Sequence, residues 1–213
     1  MTIERRSSSD SVELREDNDT LTAIGMASVF NSTSQNLGGF VERVAPGAFT
    51  KTLQETDVRA LFDHNSANLL GRKSAGTLRL QETERGLAYE VDIPETTLGR
   101  DIATLLRRGD LRGSSFGFRT ISDSWGETDD GYPLRTLNEV ALREVSIVTW
   151  PAYESSEASL RSLAEAHDLD LDDVVRAAKA DSLQSILNND EPTETEEPSS
   201  PHSVGLPPSA FIR

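Results

Sequence analysis

The sequence contains one histidine well placed for acid–base chemistry, His64, which follows a predicted apolar strand at residues 58–62. Of the three histidines, His167 and His202 lie in a C-terminal region of different composition, so His64 is the only imidazole in the body that is predicted to fold. An imidazole with an ordinary pKa of about 6.5 can accept a proton and return it near neutral pH. The end of an apolar strand can hold such a side chain rigidly at the rim of a core. We interpret His64 as a candidate general base; the alternative is a hydrogen-bonded structural histidine.

The second candidate is a serine between two glycines, in the segment Gly113-Ser114-Ser115-Phe116-Gly117. Glycines at this G-x-S-x-G spacing allow close backbone approach to a substrate and leave the Ser115 hydroxyl unobstructed. The structural alternative is a β-bulge or a tight bend in a barrel strand. An α/β-hydrolase fold is disfavoured, because it requires a helix after the serine and a later histidine. Here residues 116–121 alternate like a strand, and the later histidines lie in the C-terminal region.

The third candidate is a carboxylate inside an apolar stretch, Glu144 within residues 139–152. If this stretch is a regular strand, Leu142, Glu144, Ser146 and Val148 share one face. The desolvation of a carboxylate between apolar neighbours must be offset by a rim position, a basic partner or a histidine that it orients. A glutamate at a strand edge paired with a surface arginine is the structural alternative, and composition alone leaves it open.

Composition excludes several other kinds of protein. The 213 residues include 36 acidic and 21 basic side chains, for a net charge of −15, which argues against nucleic acids or anionic membranes as partners. The absence of Cys removes disulfides, thiolate nucleophiles and Cys-ligated zinc. No apolar run approaches the roughly 18 residues that span a bilayer, and the N-terminus lacks the apolar stretch of a signal peptide. We expect a protein of the cytosol without metal or cofactor.

The elements that must position these residues lie in the first 160 residues. Short β-rich segments bounded by Gly, Asp, Asn or Pro predict strands at 21–30, 58–62, 76–80, 87–93, 115–121 and 140–150. Residues 81–86 and 129–131 read as connections between strands. One helix is predicted between a cap at Thr96 or Thr97 and Gly109, and another near 155–166. This pattern indicates an α+β fold that is mainly β, a small β-barrel flanked by a few helices.

Charge divides the chain into regions near residue 160. Residues 161–213 carry 11 acidic and 4 basic side chains, which is seven of the fifteen excess negative charges. Apolar residues at helical spacing predict an acidic amphipathic helix over about 170–188, capped by Asp170 or Asp172, within an extension at 161–190. Residues 191–213 are acidic and rich in Pro, which predicts a disordered tail. Residues 1–19 are expected to form a flexible arm, and 20–160 the folded domain.

Taken together, these segments resemble the prohead serine proteases of tailed bacteriophages of the HK97 type, which mature the capsid. The resemblance runs from about residue 20 to residue 160, through several short motifs in the family's order. They are Gly25-Met26-Ala27-Ser28-Val29-Phe30-Asn31, Val44-Ala45-Pro46-Gly47-Ala48-Phe49, Leu61-Phe62-Asp63-His64, Arg85-Gly86-Leu87, Gly113-Ser114-Ser115-Phe116-Gly117-Phe118 and Glu144-Val145-Ser146-Ile147-Val148-Thr149-Trp150-Pro151-Ala152.

The resemblance implies a fold related to the herpesvirus assemblins and a catalytic pair made of His64 and Ser115. It selects Ser115 over Ser114, because the family's serine precedes an apolar residue and Gly-Phe. The herpesvirus relatives use a second histidine as the third member, and the folded body here has none, so Glu144 becomes the candidate that orients His64. Asp63 and Asp110 are weaker rivals.

The resemblance also implies a serine endopeptidase that works inside the viral procapsid in the host cytoplasm. Its expected partners are the major capsid protein, whose scaffolding segment it would cleave, and itself as a second substrate; a homo-oligomer is left open. Two other functions remain to be weighed. A non-catalytic internal scaffold or capsid-binding module would leave the capsid protein at full length, and a G-x-S-x-G esterase would need a histidine after Ser115 in the body. The tail is either a solvated linker or a packaging and self-processing segment.

Overall fold

Ten strands and five α-helices make up the part of the chain that this computed structural model describes, residues 3–8, 10–17, 20–150 and 157–187. The strands are β1 Glu4–Ser8, β2 Glu13–Asp17, β3 Thr20–Val29, β4 Val41–Val44, β5 Arg59–Phe62, β6 Asn65–Arg72, β7 Leu78–Glu82, β8 Gly86–Asp92, β9 Gly113–Glu127 and β10 Pro133–Val148. The helices are α1 Thr50–Glu55, α2 Thr97–Arg108, α3 Glu157–Ala166, α4 Leu171–Lys179 and α5 Leu183–Leu187. None of the helices in these ranges is long and apolar enough to cross a membrane.

The strands form two sheets around a common core. The first sheet has six strands in the order β1-β9-β10-β5-β6, with β4 also paired to β10, and the second has the order β2-β3-β8-β7. Neighbouring strands are antiparallel except that β4 and β5 run parallel to β10. The predicted mainly β fold with a few helices is therefore confirmed. Both sheets are open in the strand order given above. The closed barrel and the likeness to herpesvirus assemblins stay predictions.

The hairpin of β9 and β10 presents one face to the core and the other to the candidate site. Along β9, Phe116 and Phe118 alternate with Ser115 and Gly117, and both rings are buried. The ring of Phe116 lies 5.0 Å from that of Phe118 and 5.5 Å from that of Phe49, measured between centroids. Burial of these rings on one side fixes the register of the strand, because a slip by one residue would turn them out of the core.

Most of the predicted elements are present. The six predicted strands correspond to β3, β5, β7, β8, β9 and β10, and the predicted connections join β7 to β8 and β9 to β10. Thr96, rather than Thr97, caps α2, since its hydroxyl oxygen accepts a hydrogen bond from the backbone N–H of Gly99 at 3.1 Å. Gly109 ends this helix with a φ of 77°, in the left-handed region that favours glycine. The predicted helix near 155–166 is α3.

The prediction of a flexible arm over residues 1–19 is wrong for β1 and β2, which pair with β9 and β3. In β1 the buried side chains are Glu4, Arg6 and Ser8, so the strand has no apolar alternation to reveal it. Glu4 and Arg6 join Glu42 and Arg135 in what we call the ion cluster. Arg135 Nη1 lies 2.8 Å from Glu4 Oε2 and 2.9 Å from Glu42 Oε2, and Arg6 Nε lies 2.9 Å from Glu42 Oε1. These contacts offset the desolvation of the buried charges.

The C-terminal helices form a second, smaller core, and two helices are present where one was predicted. Asp170 caps α4, with its carboxylate accepting hydrogen bonds from the backbone N–H groups of Asp172 and Asp173. The chain turns at Asp181, whose φ is 52°, so the segment predicted as one helix over 170–188 becomes α4 and α5. The three helices α3 to α5 pack on Leu37 and Phe40. Helix α3 crosses the predicted boundary at residue 160, and the predicted disordered tail, 191–213, lies outside the described residues.

Candidate active site

A tight turn positions the candidate general base. Strands β5 and β6 pair through Phe62 and Asn65, which leaves Asp63 and His64 as the two central residues of the turn. Their φ angles are 49° and 55°, and positive φ at both positions is the signature of a type I′ hairpin turn. The Asp63 carboxylate accepts hydrogen bonds from the backbone N–H of Thr149 at 2.7 Å and from its hydroxyl at 2.8 Å. The turn is thereby fastened to the end of β10.

The imidazole of His64 is bound by Glu144. Its Nδ1 lies 2.6 Å from Glu144 Oε1, and the second carboxylate oxygen, Oε2, accepts a hydrogen bond from the Ser146 hydroxyl at 2.6 Å. The backbone N–H of His64 donates to the same hydroxyl oxygen at 3.3 Å. The carboxylate thus favours the tautomer with the proton on Nδ1, which leaves Nε2 as the atom that accepts a proton. Ser146 was not singled out as a site residue by the sequence, because a serine in a strand carries no signal of its own.

A β-bulge in β10 aims Glu144 at the histidine. The expectation that Leu142 and Glu144 share a face is wrong, because the register shifts between them: Leu142 pairs with Phe118 and Glu144 pairs with Gly117. Directly opposed residues of antiparallel strands point to the same face, so Leu142 turns towards the core and Glu144 away from it. Bulges are common beside active sites, where they redirect a side chain in this way.

The nucleophile candidate lies on the same side of the sheet as Glu144. Ser115 is paired directly with Ser146 in β10, and on its other side with Ser7 in β1. We call the sheet face that carries Ser115, Gly117, Glu144 and Ser146 the site face. Ser115 is 1% exposed, and its hydroxyl donates to the carbonyl oxygen of Arg6 at 2.8 Å. Within the described residues, no hydrogen bond joins Ser115 to His64.

The neighbouring serine points to the opposite face. Ser114 is fully buried in the core, and its Oγ lies 2.8 Å from the hydroxyl oxygen of Tyr89. Burial raises the pKa of Tyr89 to about 12, despite a smaller lowering by this hydrogen bond. The two adjacent serines therefore occupy different environments, and only Ser115 shares a face with Glu144.

Gly117 provides room for the carboxylate rather than for a substrate. A Cβ built on Gly117 would lie 2.3 Å from Glu144 Oε1, closer than any side chain tolerates. The second glycine of the G-x-S-x-G segment was expected to admit a substrate backbone, and in the structure the Glu144 side chain fills that space. The sequence could not show this, because it depends on which strand residue lies opposite Gly117.

The rival carboxylates have other partners. Asp63 fastens the turn, as described above, and Asp110 pairs with Arg108 at 2.9 Å. Glu144 has His64 as its ion-pair partner in the described part of the chain and is bonded to no arginine there, contrary to the strand-edge interpretation. Across the same residues, no group of three or more His, Asp or Glu side chains is arranged to hold a metal ion.

Comparisons with known proteins give one family. The family model described as "Caudovirus prohead serine protease" matches residues 8–169. The chain is 32% identical to the prohead protease of Escherichia phage T5 over 108 residues, which are 51% of this chain and 48% of that protein. It is 30% identical to the prohead protease of Enterobacteria phage HK97 over 136 residues, 62% of this chain and 56% of that one. The chain thus spans about half the length of these relatives.

Among solved structures, the chain is similar to the bacteriophage T4 capsid assembly protease. The two are 13% identical, with a TM-score of 0.49, over 70% of this chain and 97% of that one.

Proposed function

Because the chain belongs to the Caudovirus prohead serine protease family, we propose that it is a serine endopeptidase of phage head maturation, with Ser115 as nucleophile, His64 as general base and Glu144 as the acid that orients it. The observation that carries the proposal is the 2.6 Å contact between Glu144 and His64, made on the face to which Ser115 points. A nucleophile, a base and a carboxylate that orients the base are the three roles of serine hydrolysis.

The reaction uses the free nitrogen of the imidazole. His64 Nε2 takes the Ser115 proton as Oγ attacks the carbonyl carbon of the scissile peptide, and the tetrahedral intermediate collapses when the same nitrogen returns that proton to the leaving amine. Water then hydrolyses the acyl-enzyme by the same steps. Glu144 holds the ring in the required tautomer and stabilises the transient imidazolium. Before attack, the Ser115 hydroxyl must leave its bond with the Arg6 carbonyl and turn towards His64.

The substrate in this proposal is the scaffolding segment of the major capsid protein, with the protease itself as a second substrate, inside the procapsid in the host cytoplasm. The names of the two phage relatives support the setting, since both are prohead proteases. We also propose that the protease self-associates, and that its sheets close into a barrel like that of the herpesvirus assemblins. The packing of both sheets around one core supports the closed barrel.

Co-expression with the cognate capsid protein tests the proposal, with intact mass as the readout. The wild-type chain is expected to shorten the capsid protein, and Ser115→Ala to leave it at full length. Ser114→Ala is the matched control and is expected to cleave, because Ser114 lies on the core face. Equal cleavage by both variants contradicts the assignment, and a full-length capsid protein with the wild-type chain favours the non-catalytic scaffold.

A further inference from the structure

We propose that the edge of β9 beside Ser115 is the binding site for the extended peptide substrate, and that β1 of the same chain fills this edge until the substrate displaces it. The inference rests on the proposed function and adds to it where the substrate backbone binds. It also assigns a role to β1, a strand that the catalytic chemistry does not use.

The backbone pairing of β1 is the first observation. Residues Glu4 to Ser8 run antiparallel to β9 along Ser114 to Phe118, with Ser7 directly opposite Ser115. On its other side β9 is paired with β10 over the same residues, so the β1 edge is where a further strand can add. An extended peptide binds to such an edge through main-chain hydrogen bonds, which serve any sequence.

The contact with the nucleophile is the second observation. The carbonyl oxygen of Arg6 accepts the Ser115 hydroxyl at 2.8 Å, so β1 brings a main-chain carbonyl group to the place where the attacked carbonyl of a substrate must lie. Because the Arg6 carbonyl oxygen accepts this hydrogen bond, the proton of the Ser115 hydroxyl points away from His64. Ser115 is 1% exposed while β1 is in place. Binding of β1 and attack on a substrate therefore exclude each other.

The side chains of β1 explain why it stays bound without a substrate. Glu4 and Arg6 point to the face opposite Ser115 and are held in the ion cluster with Glu42 of β4 and Arg135 of β10. The side chain of Arg6 also lies over the Phe118 ring, 5.7 Å from its centroid. These contacts lie away from the site face, so they can be weakened without touching His64, Ser115 or Glu144.

A reversible clamp between β1 and β9 tests the inference in the full-length chain. Ser8 and Ser114 are directly paired and both buried. Residues so paired have Cα atoms about 4.5–5.5 Å apart, which suits a disulfide. The chain has no Cys, so the double variant Ser8→Cys/Ser114→Cys contains one pair of thiols. Cleavage of the capsid protein is expected to fall to the level of Ser115→Ala when the variant is oxidised and to return on reduction. The single variants, treated with the same oxidant, are the controls.

A second variant loosens β1 instead of locking it. Glu4→Gln removes one charge of the ion cluster, and Glu13→Gln makes the same change on an exposed position of β2. Glu4→Gln is expected to cleave the capsid protein several-fold faster than the wild-type chain, and Glu13→Gln at the wild-type rate. If the clamp lowered cleavage only by distorting Ser115, Glu4→Gln would cleave the capsid protein no faster than the wild-type chain.

The outcomes separate this inference from the proposed function. If the oxidised clamp cleaves as fast as the reduced one, or Glu4→Gln is no faster than Glu13→Gln, β1 does not occupy the substrate edge while the protease assignment stands. If the wild-type chain and the reduced variant both leave the capsid protein intact, the proposed function fails and takes this inference with it.

Discussion

At the scale of residues, the candidate site depends on a carboxylate with both oxygens engaged. Glu144 binds His64 through Oε1 and Ser146 through Oε2, each at 2.6 Å. Short hydrogen bonds to an ionised group are stronger than neutral ones, and they hold a largely buried carboxylate in a single orientation. Rigid placement of the residue that orients the base is what a hydrolytic site requires.

Glu144→Gln is expected to lower the turnover number by about 10²–10⁴-fold, by analogy with Asp→Asn in other serine protease triads. The amide nitrogen of Gln can donate to Nδ1, which places the remaining imidazole proton on Nε2, where the proton acceptor should be. Turnover of a capsid-derived peptide measures the effect. Glu139→Gln, on the same strand with its carboxylate paired to Lys51 at 3.3 Å, is the control; equal rates in the two variants contradict the role of Glu144.

The residue types of the site could be predicted from the sequence, but their contacts could not. One body histidine and two adjacent serines between glycines limited the choice, and the family resemblance selected Ser115 and led to Glu144. Ser146 and the Arg6 carbonyl reach the site through the pairing of β10 and β1 with β9. Such pairing joins residues far apart in the chain, so no local pattern reveals it.

At the scale of elements, β9 needs a glycine where it passes Glu144. Gly117→Ala places a methyl group 2.3 Å from the Oε1 position, and the Glu144 side chain must move away from His64. We expect this variant to fold, with a loss of about 1–3 kcal/mol typical of overpacking, and to lose most of its peptide cleavage.

Gly126→Ala is the matched control for that change. It lies on the same strand, and a Cβ there meets no atom within 4 Å. Wild-type cleavage by Gly126→Ala together with impaired cleavage by Gly117→Ala supports the account. Full activity in Gly117→Ala would show that the carboxylate is not needed at this position.

The anchoring of β1 is expected to depend on pH. Burial alone would raise the pKa of Glu4, but Arg135 and Arg6 outweigh it and lower that pKa from 4.5 to about 2. A lowered pKa stabilises the folded chain above pH 4.5, and this contribution, about 3 kcal/mol, is lost as the pH falls towards 2. Thermal unfolding at a series of pH values should show a steeper acid loss for the wild-type chain than for Glu4→Gln. Parallel curves would mean that Glu4 does not anchor the strand.

Strands with apolar alternation could be predicted, and strands held by charges or irregular pairing could not. β1 buries Glu4 and Arg6, and β6 pairs with β5 through two register shifts that interrupt the alternation. The sequence likewise gives no sign of the bulge near Glu144, because a bulge is defined by the pairing with the opposite strand. The single helix predicted over 170–188 is interrupted between α4 and α5, where Asp181 adopts a positive φ.

At the scale of the whole molecule, the two cores are joined through the ion cluster. Ser159 of α3 accepts a hydrogen bond from Arg135 at 3.1 Å and donates one to Glu4 at 2.9 Å. The C-terminal helices therefore contact the strand that covers Ser115, and a boundary at residue 160 does not describe the packing. The net charge of −15 argued against nucleic acids and anionic membranes as partners, but it gave no information about this buried cluster of acidic and basic side chains.

The most direct test of Ser115 as the nucleophile is covalent labelling with a fluorophosphonate, which forms a serine phosphonate ester and releases fluoride. The adduct, located by peptide mass mapping, is expected on Ser115 in the wild-type chain and in Ser114→Ala, formed in the fraction of molecules whose β1 has left the edge of β9. It is expected to be absent in Ser115→Ala and strongly reduced in His64→Ala, because the hydroxyl then lacks its base. An adduct on another residue, or labelling that is unchanged in His64→Ala, would contradict the account.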